Sequence, residues 1–140
     1  MNFYVSIFPN SSIGNVSRYG EAGPGPKGAV MTAGFSLDGQ EFMALNGGPH
    51  FAFTPAISLF VNCETQEEVD GLWDTLSAGG STQPCGWLTD RFGLSWQIIP
   101  SALRRLMGDK DPEKAKRVMQ AMLTMTKIDV RALQAAYDHA

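Results

Sequence analysis

Charge is scarce in this sequence: 18% of its 140 residues are Asp, Glu, Lys or Arg, and the formal net charge is -3. No basic stripe stands out, so a nucleic-acid partner has no electrostatic footprint here. The basic spots Arg104-Arg105 and Lys114-Lys116-Arg117 sit among acids on expected helices and read as solvated helix faces. Cysteine is equally sparse. Cys63 and Cys85 form no CxxC or zinc-type spacing, and free thiols in a reducing cytoplasm are the expectation. The apolar runs are too short to cross a bilayer, so no membrane partner is expected. The opening Met1-Asn2-Phe3-Tyr4 has no basic region followed by an apolar one, and no signal peptide is expected. There is no strand–GxGxxG–helix unit, which removes the usual dinucleotide or methyl-donor fingerprint.

What is present is apolar: 44% of the residues are hydrophobic, enough for one compact domain with a real core. Phe3, Tyr4, Ile7 and Phe8 stand at helical spacing before Pro9-Asn10-Ser11-Ser12 ends the segment. Asn15 to Tyr19 reads as a strand. Residues 20–28 carry four glycines and two prolines and read as a loop. That loop lacks the Lys-Ser ending and the following helix of a phosphate cradle, which favours a flexible connection. Ala29 to Leu37 alternates Val30, Thr32, Gly34 and Ser36 against Met31, Ala33, Phe35 and Leu37. Asp38-Gly39 then suits a tight hairpin turn, and Gln40 to Asn46 returns.

A second unit opens at Ala56 with Ile57, Leu59 and Val61 in alternation. Thr65-Gln66-Glu67-Glu68 has the form of a capping box, and Val69, Leu72, Trp73 and Leu76 share one helical face. Gly79-Gly80 closes the helix. Cys85 to Thr89 and Leu94 to Ile99 are strands around the turn Asp90-Arg91-Phe92-Gly93. The order strand, helix, short strand, strand, strand matches the first unit, provided the first unit has lost its opening strand. After Pro100 helices follow. Asp111-Pro112 and Asp129 are helix starts, and Val118, Met119, Met122, Leu123 and Met125 form an apolar stripe.

Several stretches, in order, resemble the PhnB-like branch of the vicinal-oxygen-chelate superfamily: "NFYVSIFPNS", "SRYGEAGPGPKG", "FMALNGGPHFAFTPAISLFVNCETQEEVDGLWDTLSAGG", "CGWLTDRFGLSWQIIPSAL" and "AMLTMTKIDVRALQAAY". Members of that branch carry 3-demethylubiquinone 3-methyltransferase-like or glyoxalase/bleomycin-resistance-like labels. The resemblance implies an α+β fold of paired βαβββ modules curled into a cupped mixed sheet around a ligand cavity, usually in a homodimer. It places a vicinal-oxygen-chelate-like domain at 1–100, with modules 1–54 and 55–100, and a helical C-terminal extension at 101–140. Relatives carry an opening strand before "NFYVSIFPNS". A truncated start, or a neighbouring chain filling the sheet edge, is therefore expected.

Catalytic relatives hold a metal with His, Glu or Gln on the first, fourth, fifth and eighth strands. Here the fifth-strand position matches Ala56, and the last-strand position is Gln97, a neutral oxygen that alone holds a divalent ion poorly. No cofactor is expected, a divalent metal is disfavoured, and Gln97 is only a weak metal candidate. His50 and Gln97 are the candidate catalytic residues. Met43, Asn46, Phe51, Cys85, Trp87 and Gln97 are the candidate ligand-binding residues.

Each candidate has a plain alternative. His50 reaches a ligand or shuttles a proton, or else satisfies a loop carbonyl. Asn46 bonds a ligand, or starts the glycine turn. Cys85 acts as a nucleophile if His50 is brought to it, or is a buried inert thiol. Asp90 reads as a turn residue, and alternation puts Gln97 inward and Trp96 beneath the helices. The leading expectation is a binder of a small, partly apolar molecule. The rivals are a glyoxalase-like metal-dependent isomerase or dioxygenase, a methyltransferase-like enzyme, and an interaction protein using the Met-rich tail.

Overall fold

The computed structural model describes residues 1–139. They fall into two compact units, one spanning Met1–Ala52 and one running from Phe53 onward.

In the first unit a single-turn helix, α1 (Asn2–Val5), precedes β1 (Ser12–Arg18), β2 (Val30–Leu37) and β3 (Gln40–Leu45). The strands form an antiparallel sheet in the order β1-β2-β3. The helix is shorter than its apolar spacing predicts. After Val5 the amides of Ile7 and Phe8 both bond to the Tyr4 carbonyl, which closes turns instead of extending the helix. β1 starts earlier than predicted, because Ser12 and Ile13 already pair with Ser36 and Phe35. Gly14 and Asn15 interrupt that register as a bulge, and the broken alternation hides the strand in the sequence. Asp38 and Gly39 both have positive φ, at 48° and 79°, as the tight hairpin demands. Ala33 and Leu37 are buried on one face of β2, and α1 packs against β1 and β2. The glycine-rich loop folds onto Tyr19, which is 8% exposed. A side chain at Gly25 would run into the Tyr19 ring, so the loop composition follows from that contact.

The second unit contains β4 (Ser58–Cys63), α2 (Gln66–Ser77), β5 (Ser81–Thr82), β6 (Trp87–Thr89) and β7 (Ser95–Pro100), the expected βαβββ order. The sheet order is β4-β7-β6-β5, with β4 parallel to β7 and the other pairs antiparallel. Thr65 caps α2 by accepting from the Glu68 amide at 3.2 Å. The returning Glu68 carboxylate takes the Glu64 amide, one residue before the position a capping box prescribes. Val69, Trp73 and Leu76 of α2 are buried, as are Leu88, Trp96 and Ile98 of the strands.

The helices α3 (Ser101–Met107), α4 (Pro112–Leu123) and α5 (Val130–Asp138) belong to this same unit. Asp111 and Asp129 cap α4 and α5 as predicted, accepting from the Glu113 and Ala132 amides. Ile99 of β7 shares a buried cluster with Leu103, Leu106, Val118, Ile128 and Leu133. The predicted boundary at residue 100 therefore runs through a core. The predicted strand from Cys85 is cut to Trp87–Thr89, because Cys85 and Gly86 have φ of 63° and 80° and leave the extended region. Their amides bond instead to the carbonyls of Met125 and Thr126, each at 2.8 Å. Gln66 adds a stitch: its amide donates to the Ile128 carbonyl at 3.0 Å and accepts from the Val130 amide at 2.8 Å.

Candidate functional site

In the first unit the side of the sheet opposite Ala33 and Leu37 is open. Alternation puts Thr32, Gly34 and Ser36 of β2 there, with Leu45, Met43 and Glu41 as their partners on β3. Met43 is 79% and Leu45 66% exposed, an unusual condition for adjacent large apolar side chains. On the β1 side, Ser12 and Ser36 share a hydroxyl bond of 3.2 Å, and Ser17 and Thr32 share another. A trough of about 650 Å³ runs over this face. Its hydroxyls and its gap at Gly34 did not stand out among the candidate residues. Only the alternation of β2 carries that signal.

A second recess in the same unit, about 590 Å³, is lined by Tyr19, Pro24, Pro26, Asn46, Pro49 and His50. Asn46 holds the strand end together. Its backbone amide donates to the Met31 carbonyl, its Nδ2 donates to the Val30 carbonyl at 2.8 Å, and its carbonyl accepts from the Tyr19 hydroxyl. His50 is exposed at the rim, and Phe51 beside it is 95% exposed.

In the second unit the sequence-predicted residues Gln97 and Trp87 do come together. Gln97 of β7 stands between Phe60 of β4 and Trp87 of β6 in one cross-strand row. Its Nε2 donates to the Ser58 hydroxyl at 2.9 Å. Trp96 points the other way, 2% exposed, and its indole donates to the Asp90 carboxylate at 2.9 Å. Asp90 also accepts from the Phe92 and Leu94 amides, which makes it the organiser of the turn. Cys85 directs its thiol toward the Met122 carbonyl at 3.8 Å. Cys63 is fully buried, and burial, then Glu68 and Glu64, push its thiol up to about 11.

The surroundings of Gln97 do not fit a divalent cation. Its row neighbours are two aromatic rings, and its amide nitrogen donates to a neutral hydroxyl. Among the described residues no group of three or more His, Cys, Asp or Glu is placed to hold a metal ion.

The profile of the family described as 3-demethylubiquinone-9 3-methyltransferase matches residues 1–99. Among solved structures, the chain is 43% identical to a PhnB protein from Bacillus cereus, with a TM-score of 0.67 over 72% of this chain and 88% of that one. It is 23% identical to protein PA1353 from Pseudomonas aeruginosa, with a TM-score of 0.58 over 71% of this chain and 84% of that one, a likeness of fold. No curated protein matches. With nearly three quarters of its length matched by that profile, and a PhnB protein at 43% identity, this chain belongs to the PhnB-type 3-demethylubiquinone-9 3-methyltransferase family.

Proposed function

We propose that the chain is a vicinal-oxygen-chelate-type binding protein for a small, partly apolar molecule, acting as a homodimer in the cytoplasm. The observation that carries this reading is the open face of the first sheet. There Met43 and Leu45 stay largely exposed beside the paired hydroxyls of Ser12, Ser36, Ser17 and Thr32. Apolar surface with a few placed hydrogen-bonding groups is the usual composition of a small-molecule site. Phe60, Gln97 and Trp87 give the second sheet a row of the same character. Binding ranks above methyl transfer because neither sheet is doubly wound. The pair β4–β7 is the one parallel pairing among the described residues, so the layout is not that of the doubly wound nucleotide-binding folds. The dimer draws support from β1, which stands at a sheet edge with Ile13 and Val16 each 40% exposed. No helix is long and apolar enough to cross a membrane among the described residues.

Native mass spectrometry of the protein as purified, without chelator, tests the reading. The expected species is a dimer carrying a small organic adduct and no stoichiometric metal. A divalent ion at one per chain would overturn it and make His50 and Gln97 the first residues to replace. A bare monomer would remove the dimer.

A further inference from the structure

Of the five asparagines in the chain, Asn46 alone precedes a glycine. A peptide nitrogen can attack the side-chain carbonyl carbon of the asparagine before it, and a side chain on the following residue obstructs that approach. The surroundings of Asn46 add three conditions. Asn46, Gly47 and Gly48 are all exposed, just past the end of β3. The Gly47 amide, which would attack, donates no hydrogen bond among the described residues, whereas the Asn46 amide is taken by the Met31 carbonyl. The Asn46 carbonyl, which shares one peptide unit with the Gly47 nitrogen, accepts from the Tyr19 hydroxyl. When Gly47 gives up its proton, negative charge spreads onto that oxygen, and a donor already aimed there stabilises it. Tyr19 is buried, with the glycine-rich loop lying over its ring, so its hydroxyl is held in place.

We propose that Asn46 is a self-modification site, converted by its own backbone to aspartate and isoaspartate. The Gly47 amide loses its proton, its nitrogen bonds to Asn46 Cγ, and the Cγ–Nδ2 bond breaks. The departing nitrogen takes up a proton and leaves as ammonia. Water then opens the cyclic imide, at one carbonyl to aspartate and at the other to isoaspartate. The conversion changes the strand end. Asn46 Nδ2 donates to the Val30 carbonyl at 2.8 Å, and a carboxylate can only accept, so that bond is lost and two oxygens face each other. Isoaspartate also adds a carbon to the backbone between β3 and the glycine turn. Asn46 lines the recess that it shares with Tyr19 and His50. That position is neutral in a fresh chain and anionic in an aged one.

The test is incubation of the full chain in neutral and in mildly alkaline buffer, with peptide mass spectrometry and a separate isoaspartate assay. Conversion at Asn46 should outrun that at Asn2, Asn10, Asn15 and Asn62. It should rise with pH, because the deprotonated nitrogen attacks. Gly47→Ala should slow it at least about tenfold. That variant keeps the fold, since φ at Gly47 is not positive and a Cβ there meets only Leu45 Cδ2, at 3.9 Å. Tyr19→Phe should slow conversion about fivefold in the folded chain, the worth of one hydrogen bond, and not at all in urea. Asn46→Asp should lower the urea midpoint as ageing does.

An Asn46 that stays intact in the folded chain while it converts in urea would overturn the site. Tyr19→Phe converting as fast as wild type, or faster, would overturn the activation of the Gly47 amide, because a Tyr19 that only tethers the strand end would slow the reaction. An Asn46→Asp chain as stable as wild type would overturn the change at the strand end.

Discussion

Gly34 in the first unit and Gly86 in the second face opposite demands. A Cβ at Gly34 meets nothing closer than 3.8 Å, whereas one at Gly86 would press on Ile99 Cδ1 at 2.8 Å and Ile128 Cγ1 at 3.0 Å. Gly86 also holds φ at 80°, where a Cβ is strained whatever the space. A Cβ at the first would make only ordinary contacts, whereas its absence at the second lets two segments close. The sheets around them differ in the same sense. The first sheet buries Ala33 and Leu37 on one side and leaves Met43 and Leu45 outside. The second is covered on one side by α2, while Ile99 on its other side enters the cluster of the last three helices. A sheet with an open face has surface to give a ligand, whereas the second sheet, although its Phe60–Gln97–Trp87 row stays partly exposed, is anchored by α2 on the other face and by the helical cluster at Ile99.

The largest break in this comparison should come from Ile128→Ala. Ile128 is fully buried in the helical cluster, and its truncation should cost about 3–4 kcal/mol in urea unfolding. A loss under about 1 kcal/mol would mean that the cluster is not the core of the second unit.

Gly86→Ala comes next, at about 2–3 kcal/mol, combining left-handed strain with overpacking against Ile99 and Ile128. If it behaved like an exposed glycine, the closed half of the comparison would fall.

Cys63 sharpens the contrast through pH. Its folded-state pKa is raised from 9.0 to about 11. Between those values the unfolded chain has lost its thiol proton and the folded chain has kept it, so stability falls as pH rises through that window. The loss should be on the order of 1–2 kcal/mol and absent in Cys63→Ala. In the native protein a thiol reagent should label Cys85 before the fully buried Cys63.

Gln66→Ala should cost about 1–2 kcal/mol by leaving the Val130 amide and Ile128 carbonyl without their side-chain partner. The neighbouring Asp70 has its pKa lowered, by hydrogen bonds from Lys127 and then Gln66. Its support is present above the ordinary carboxylate range and fades as pH falls through the lowered value. Acid titration should therefore narrow the gap between wild type and Gln66→Ala only by the Asp70 part, leaving the cost of the two lost backbone bonds.

The smallest effect belongs to Gly34→Ala, which should change stability by no more than about 0.5–1 kcal/mol, and in the stabilising direction. A large loss would mean that the backbone there needs glycine.

Much of this architecture is legible in local chemistry. Thr65, Asp111 and Asp129 announce helix starts because a side-chain oxygen must serve exposed amides, and each does so here. Asp38-Gly39 announces its hairpin for an equally local reason. What escapes is whatever depends on a distant partner. The bulge at Gly14-Asn15 breaks the alternation by which β1 would be recognised. Cys85-Gly86 reads as strand because nothing nearby reveals that its amides will bond forty residues on. The candidate site divides in the same way. Alternation brings Gln97 and Trp87 into one row and sends Trp96 to the buried side. The bonds that occupy Asn46 and the Cys85 thiol come from Tyr19, Val30 and Met122, which no spacing rule connects to them.

The pairing of Cys85 and Gly86 with Met125 and Thr126 also has a consequence in time. All strands of the second sheet exist once Pro100 has been synthesised. Two inner amides and the Ile99 side chain must still wait for a stretch of helix made later. At about 5–20 residues per second, that interval lasts on the order of seconds for a nascent chain. During it the half-built unit presents apolar surface and unpaired backbone to the cell. Slower translation just after Pro100 would lengthen that exposure.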